Sequence, residues 1–201
     1  INLLNRFYEI DSGEISIDGI NIKDYKLSNL RKNIGIVLQD VFLFSDTIFN
    51  NITLKDESIS LNEVKLAAKQ IGVHDFIMSL PNNYYYNVKE RGIMLSSGQR
   101  QLIAFLRVYV SDPQILILDE ATSSIDSTSE VLIQNATEKL TKNRTSLIIA
   151  HRLATIKKAN NIIVMDSGNI IEQGSHKELI SNMDGYYKKL YDVQFQVKNV
   201  S

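Results

Sequence analysis

An α/β fold with a largely parallel sheet is predicted by three features of this sequence of 201 residues. Apolar runs of four or five residues recur along it as candidate buried strands. Segments with apolar residues at helical spacing separate these runs, which gives the alternation of strands and helices typical of an α/β fold. Some runs end in polar or acidic side chains, and binding sites in such folds lie at the carboxyl ends of the strands.

The first elements are predicted to be the end of a helix, a short strand and a buried strand. Residues 1–8 have the spacing of an amphipathic helix with no cap in front, so we interpret the N-terminus as cut away. Gly13–Gly19 alternates apolar and polar residues, as a half-exposed strand closed by a turn does. Ile34–Leu38 is predicted to be a buried parallel strand that ends at Gln39 and Asp40.

The rest of the chain is predicted to form an α/β core with an inserted helical lobe. The lobe covers about residues 41–110, with helical segments at 61–68 and 73–80 and a break at Pro81. The core is assigned to residues 1–40 and 111–174, and C-terminal helices to 175–201. The later core strands are predicted at 115–118, at 146–150, at 162–165 and near Ile170.

Composition excludes several classes of function. Hydrophobic residues make up 44% of the chain, which is enough for a substantial core. With 22 basic and 23 acidic residues the net charge is -1, so a nucleic acid partner is not expected. The chain has no cysteine, which excludes disulfides and thiolate metal sites, so any bound metal would have oxygen ligands.

Two carboxylates follow the apolar run Ile115–Leu118. Asp119 and Glu120 would emerge where a buried strand meets a ligand crevice. In a phosphoryl-transfer site the first acid can hold Mg²⁺ while the second polarises the attacking water. A strand that ends in acids only because it reaches solvent is an equally good interpretation of these residues alone.

A capped helix start is predicted at Leu95–Gln99. Ser96 and Gln99 fit a capping box, and apolar residues recur at helical spacing after them. The free N–H groups of such a helix end can receive a phosphate, and Gly98 would allow a close approach. A cap without any ligand is the commoner meaning of this short pattern.

Four motifs in this order and spacing resemble the nucleotide-binding domain of ABC transporters, and the resemblance covers essentially the whole chain. They are Leu95–Gln99, Ile115–Glu120, Ser123–Asp126 and Ile149–Arg152. The resemblance implies a P-loop NTPase (RecA-like) parallel sheet core with an inserted helical subdomain. The exporter type is favoured by Glu90–Gly92 and by Val41–Phe44 after Gln39. Glu90 matches a loop that contacts the membrane domain, with a solvated charge as an equal alternative.

The resemblance implies roles for individual residues on one wall of an ATP site. Asp119 matches the Walker B acid that holds Mg²⁺, and Glu120 matches the general base. Gln39 matches the glutamine that touches Mg²⁺ and the lytic water and relays the nucleotide state to the membrane domain. His151 matches the switch histidine that hydrogen-bonds the γ-phosphate. For Gln39 and His151, a plain structural role at a strand end is the alternative.

The signature segment, Leu95–Gln99, is implied to contact a nucleotide held by the opposite subunit. The residues expected to bind it are Ser96, Ser97, Gly98 and Gln99. Asp126 matches the aspartate that crosses the dimer interface, although Ser127 and Glu130 also fit a capping box, which leaves a structural role open. Ser97 stands where the family usually has glycine, so an asymmetric site also stays open.

The phosphate-gripping loop of the family has no counterpart in this sequence, because none of the nine glycines is followed by lysine. We expect that loop, the Walker A motif, before Ile1, together with N-terminal strands of the sheet. The truncated chain alone is therefore expected to be inactive as an ATPase.

The function implied by the resemblance is binding and hydrolysis of ATP, with Mg²⁺, in a head-to-tail dimer that drives export across a membrane. The implied partners are a second nucleotide-binding domain and a transmembrane domain, which would hold the chain at the cytoplasmic face of the cell membrane. ATPases of DNA repair or chromosome organisation are disfavoured, because Gln39 and Ser96 lie too close in sequence for an inserted coiled coil. A non-hydrolysing interaction module is disfavoured by Glu120 and His151, but Ser97 leaves it open.

Overall fold

The computed structural model describes residues 1–120, 127–150 and 153–198. Its contacts divide the chain into two units, Ile1–Ile149 and Ala150–Ser201. No helix in these described ranges is long and apolar enough to cross a membrane.

A three-stranded sheet forms the centre of the first unit. Its strands are ordered β3 (Ile34–Val37), β4 (Ile115–Glu120) and β5 (Thr145–Ala150). β3 and β4 run parallel, with Ile34 opposite Ile115 and Val37 opposite Leu118. The predicted buried strands at 34–38 and 115–118 are therefore confirmed, and so is the α/β class with a parallel sheet.

Apolar residues cover both faces of β3 and β4. On one face, Ile34 and Ile117 pack with residues from β1 (Ser16–Ile17), α1 (Leu27–Lys32) and the N-terminal segment, and with Ile22, which follows β2 (Ile20–Asn21). β1 and β2 form an antiparallel hairpin, as the alternation around Gly13–Gly19 predicts. On the other face, Leu116 and Leu118 belong to the main core of the unit.

Five helices contribute to that main core. They are α2 (Ile48–Thr53), α3 (Leu61–Ile71), α4 (His74–Met78), α5 (Ser97–Ser111) and α6 (Ser127–Thr141). The two predicted helical segments are confirmed as α3 and α4. The predicted break after them is confirmed as well, because Asn82 and Asn83 adopt φ values of 57° and 52°, which a right-handed helix does not allow. One continuous core joins these helices to β4, so the boundaries of a separate lobe stay a prediction.

Gly35 permits the close approach of β3 to the end of α5. A Cβ atom at this position would lie 2.5 Å from Pro113 Cγ and 2.7 Å from Val108 Cγ1. Both distances are shorter than van der Waals contact, so only glycine fits here without a shift of the neighbouring helix end. This contact fixes where the chain leaves α5 and enters β4.

The predicted helix at residues 1–8 is wrong. The segment forms turns, and Arg6 has a φ of 50°, which a right-handed helix does not allow. Arg6 instead donates to the carbonyl oxygens of Ile22, Lys23 and Tyr25 at 3.2 to 3.4 Å. These contacts with the segment after β2 replace the helical hydrogen bonds that the spacing alone predicts.

The second unit is a hairpin packed with helices. It contains α7 (Leu153–Ile156), β6 (Ile162–Asp166), β7 (Asn169–Gly174), α8 (His176–Ser181) and α9 (Tyr186–Lys198). The predicted strands at 162–165 and near Ile170 are confirmed as β6 and β7, and the two strands pair antiparallel. The reason is the two-residue turn at Ser167 and Gly168, whose φ values of 47° and 81° suit a tight hairpin. Glu172 of β7 accepts hydrogen bonds from the backbone N–H groups of Tyr186 and Tyr187, which caps α9.

Candidate functional site

The carboxyl ends of β3 and β4 bring together three of the predicted site residues. The last pair of the parallel ladder is Val37 and Leu118. Gln39 and Glu120 each follow that pair by two positions, and Asp119 lies one position beyond it. Because the strands are neighbours, these positions lie at the same edge of the sheet. Gln39 is exposed and Asp119 is half-buried, so both are accessible to a ligand at this edge.

The predicted capping box at the start of α5 is confirmed. Ser96 Oγ accepts a hydrogen bond from the Gln99 backbone N–H at 3.2 Å, and Gln99 Oε1 accepts one from the Ser96 N–H at 3.0 Å. A hydroxyl that accepts one hydrogen bond can still donate its proton, and Ser96 is exposed. Gly98, in the first turn of α5, is buried.

Two further predicted site residues, Asp126 and His151, lie outside the described residues. His151 follows β5 directly in sequence, since that strand ends at Ala150. Gln39 follows β3, Asp119 and Glu120 end the neighbouring strand β4, and the signature segment begins α5.

Two segments between Gln39 and Ser96 in the chain expose apolar side chains to solvent. Phe42 and Phe44 are 54% and 53% exposed, and their rings meet edge to face with centroids 5.1 Å apart. Ile93 and Met94 are 76% and 58% exposed, and Glu90 beside them is exposed as well. We refer to these five residues as the aromatic surface. Apolar side chains this exposed are of the kind found at protein contact sites.

Two chain segments build the aromatic surface, and backbone contacts join them. The N–H of Ile48 donates to Tyr86 O at 3.0 Å, and the N–H of Val88 donates to Asp46 O at 3.1 Å. A Cβ atom at Gly92, whose φ is 68°, would lie 2.9 Å from Leu43 Cδ1. The segment that follows Gln39 and the segment that precedes Ser96 are thus packed directly against each other.

Buried Asn51 of α2 fixes the first of these segments. Its side chain accepts a hydrogen bond from the N–H of Phe44 at 2.8 Å and donates to the carbonyl oxygens of Phe44 and Thr47 at 3.0 Å. Asp46 accepts from the Thr47 N–H, from Asn50 and from Lys55. The Thr47 N–H and these other donors lower the pKa of Asp46 below its usual value. The sequence does not point to Asn51 or Asp46, since neither residue stands in a recognisable motif.

Comparison with known proteins assigns this architecture to a class. The ABC transporter family matches residues 1–123, so the chain belongs to the ABC transporter family. This confirms the family that the ordered motifs predict.

The particular relatives are exporters. The chain is 50% identical over 194 residues to a protein of Staphylococcus aureus (strain NCTC 8325 / PS 47), provisionally named a multidrug export ATP-binding/permease protein. A protein of the same name from strain COL matches equally well. The match covers 96% of this chain but 33% of each relative, so the chain spans about one third of their length. A bacterial Atm1-family ABC exporter, solved with ATP bound, superposes with a TM-score of 0.87 at 42% identity, over 96% of this chain and 34% of that one.

Proposed function

We propose that this chain is the ATP-hydrolysing domain of an ABC exporter. The observation that carries the proposal is the parallel register of β3 and β4, whose last pair, Val37 and Leu118, precedes the positions of Gln39, Asp119 and Glu120. A glutamine amide and two carboxylates at this place suit a site where phosphate is transferred to water. The relatives support the proposal, because their names combine ATP binding with export.

The donors at this edge fit Mg²⁺. Asp119 offers a carboxylate and Gln39 an amide oxygen, which are the ligand types that Mg²⁺ prefers. The described residues contain no cluster of three or more acidic or histidine side chains for a metal. This agrees with an ion that completes its shell with water and nucleotide phosphate. When bound, the ion would withdraw charge from the phosphates during transfer.

The remaining residues would carry the hydrolytic step. Glu120 would take a proton from the attacking water while that oxygen forms a bond to the γ-phosphorus and the bond to the β-phosphate oxygen breaks. His151 would donate a hydrogen bond to the γ-phosphate and keep it in line. The chain contains no G-x-x-x-x-G-K-[S/T] motif, so we propose that another part of the complete protein grips the phosphates on this side.

A second copy or a second nucleotide-binding domain would complete the site. Ser96, Ser97, Gly98 and Gln99 begin α5 with exposed or closely approachable groups, and the positive end of this helix dipole favours a phosphate. We assign these residues to a nucleotide held by the opposite subunit, with Asp126 at the dimer interface. The head-to-tail arrangement would make hydrolysis depend on both subunits.

The aromatic surface is our candidate contact with a transmembrane domain. It exposes Phe42, Phe44, Ile93 and Met94 to solvent. The relatives carry a permease part in the same polypeptide and are three times as long as the matched region, which leaves room for that domain. We therefore place the chain at the cytoplasmic face of a membrane and assign it a role in export.

The proposal is tested by Glu120→Gln in the complete transporter. We expect steady-state ATP hydrolysis to fall by at least about 100-fold, because the amide cannot accept the proton of the attacking water. The ATP-bound dimer should persist for longer, as measured by retention of labelled ATP after gel filtration. Glu57→Gln, which changes an exposed carboxylate elsewhere on the first unit, is the matched control. Unchanged hydrolysis in Glu120→Gln would contradict the assignment.

A further inference from the structure

Arg107 of α5 forms hydrogen bonds to α2 and to the segment that carries Phe42 and Phe44. It lies on α5 about three turns after Ser96, roughly 16 Å along the helix axis. Its Nε donates to Asn51 O at 2.8 Å, and its Nη2 donates to Phe42 O at 3.4 Å. The two acceptors are backbone atoms more than fifty positions away in the chain.

The chemical surroundings of Arg107 do not suit a purely packing role. Burial lowers the pKa of the guanidinium, which nevertheless stays charged. Within the described residues its charge is met by carbonyl oxygens and by no carboxylate. Arg107 is half-buried, and an apolar side chain of similar length would fill the same space without desolvating a charge. The directional hydrogen bonds are what an arginine adds here.

The acceptor Asn51 is itself tied to the aromatic surface. Its carbonyl lies in the last turn of α2, which ends at Leu54 with a φ of 52°, so that oxygen lacks a partner within the helix. Arg107 supplies the missing donor, and a positive charge is favourable at a helix C-terminus. The Asn51 side chain binds both the N–H and the carbonyl of Phe44. Hydrogen bonds therefore run from α5 through α2 to Phe44.

We propose that Arg107 is a positioning residue that makes the aromatic surface move together with α5. The helix begins at the signature segment, so a displacement of α5 on closure around ATP would reach Phe42 and Phe44 through Arg107 and Asn51. The inference rests on the proposed function. It adds the route by which nucleotide binding in one part of the domain is communicated to the transmembrane domain.

The test uses the complete transporter in lipid vesicles with Arg107→Met and Arg107→Lys. The matched control is Tyr109→Phe, which removes a hydrogen bond of 3.2 Å from α5 to Gln70 of α3 and leaves the aromatic surface untouched. Two quantities are measured: ATP turnover, and the protection of the membrane domain against trypsin when ATP and vanadate are added.

For Arg107→Met we expect ATP turnover within about twofold of the wild type, since Arg107 donates to the backbone carbonyls of Asn51 and Phe42 and lies about three turns of α5 away from the signature segment. The protection by ATP and vanadate should be lost, because the closed signature helix no longer carries the aromatic surface with it. Arg107→Lys keeps the charge but can reach only one carbonyl, so its protection should be intermediate. Tyr109→Phe should behave as the wild type.

A local measurement separates positioning from general stability. Hydrogen exchange of the Phe44 amide, which donates to Asn51 Oδ1, should be about fivefold faster in both Arg107 variants and unchanged in Tyr109→Phe. Exchange elsewhere in the core should stay as in the wild type. Faster exchange throughout the domain, with parallel loss of turnover and protection in both variants, would show a structural role and overturn the inference.

The two proposals fail in different ways. A wild-type transporter that neither hydrolyses ATP nor changes its trypsin sensitivity would overturn the proposed function, and the role of Arg107 with it. A wild-type transporter that does both, with an Arg107→Met variant that responds equally, would overturn the role of Arg107 and leave the proposed function standing.

Discussion

Asp46 shows how one carboxylate at the surface orders a functional segment. It accepts hydrogen bonds from Thr47, Asn50 and Lys55 at the start of α2. These donors stabilise the ionised form, with the Thr47 N–H as the largest cause, so the pKa of Asp46 in the folded state lies below the unfolded value of 3.8. Its stabilising contribution is therefore present above pH 3.8 and is lost as the pH falls through the lower folded pKa.

The contribution of Asp46 can be measured by urea unfolding of the wild type and of Asp46→Asn at a series of pH values. The wild type should be the more stable protein at neutral pH, and the difference in free energy of unfolding should shrink below about pH 4. Asp11→Asn, at an exposed site, should show no comparable change with pH. A difference that is constant down to pH 2 would contradict the assigned role.

At this scale the sequence predicts residues that belong to short local patterns. Ser96 and Gln99 are three positions apart, so their mutual capping can be foreseen from the sequence and is observed. The contact of Arg107 with Asn51 joins residues that are 56 positions apart. No periodicity or spacing rule encodes such a pair, because it depends on how α2 packs against α5.

Helix α5 unites a capping function with the proposed binding function, and a comparison of two caps can separate them. Ser60 caps α3 with Glu63 in the same geometry as Ser96 caps α5 with Gln99. Ser60→Ala and Ser96→Ala should each lower the free energy of unfolding by about 1 kcal/mol.

Only Ser96→Ala should also lower ATP turnover of the complete transporter, by about tenfold or more, because it would remove the proposed hydrogen bond to a charged phosphate. Ser60→Ala provides the baseline for lost stability alone. Equal turnover in the two variants would show that Ser96 is a cap and nothing else.

The elements that the sequence predicts well are those whose burial is uniform. β3 and β4 are buried on both faces, so their apolar runs are continuous and their pairing follows from the α/β pattern. Residues 1–8 have helical spacing but form turns, since Arg6 finds three carbonyl acceptors near Ile22 instead. β6 has an apolar run like that of β4, and the turn at Ser167 and Gly168 decides its antiparallel pairing.

At the scale of the whole chain, the sequence contains the proposed catalytic acids and the signature segment but no G-x-x-x-x-G-K-[S/T] motif to grip the phosphates. We therefore predict that the isolated chain binds ATP weakly, with no saturation below millimolar ATP in a calorimetric titration, and does not turn it over measurably. The complete transporter should bind ATP with a much lower Kd under the same conditions. Micromolar affinity of the isolated chain would contradict this prediction.

The sheet of the first unit also has a consequence for how the chain behaves in solution. In the described part of the chain β5 pairs only with β4, and its Leu147 and Ile149 are 41% and 42% exposed. An open strand edge with apolar side chains is a template on which further strands can add. Copies of the isolated chain should therefore associate through this edge as their concentration rises, and the purified material would be a mixture of sizes instead of a single species.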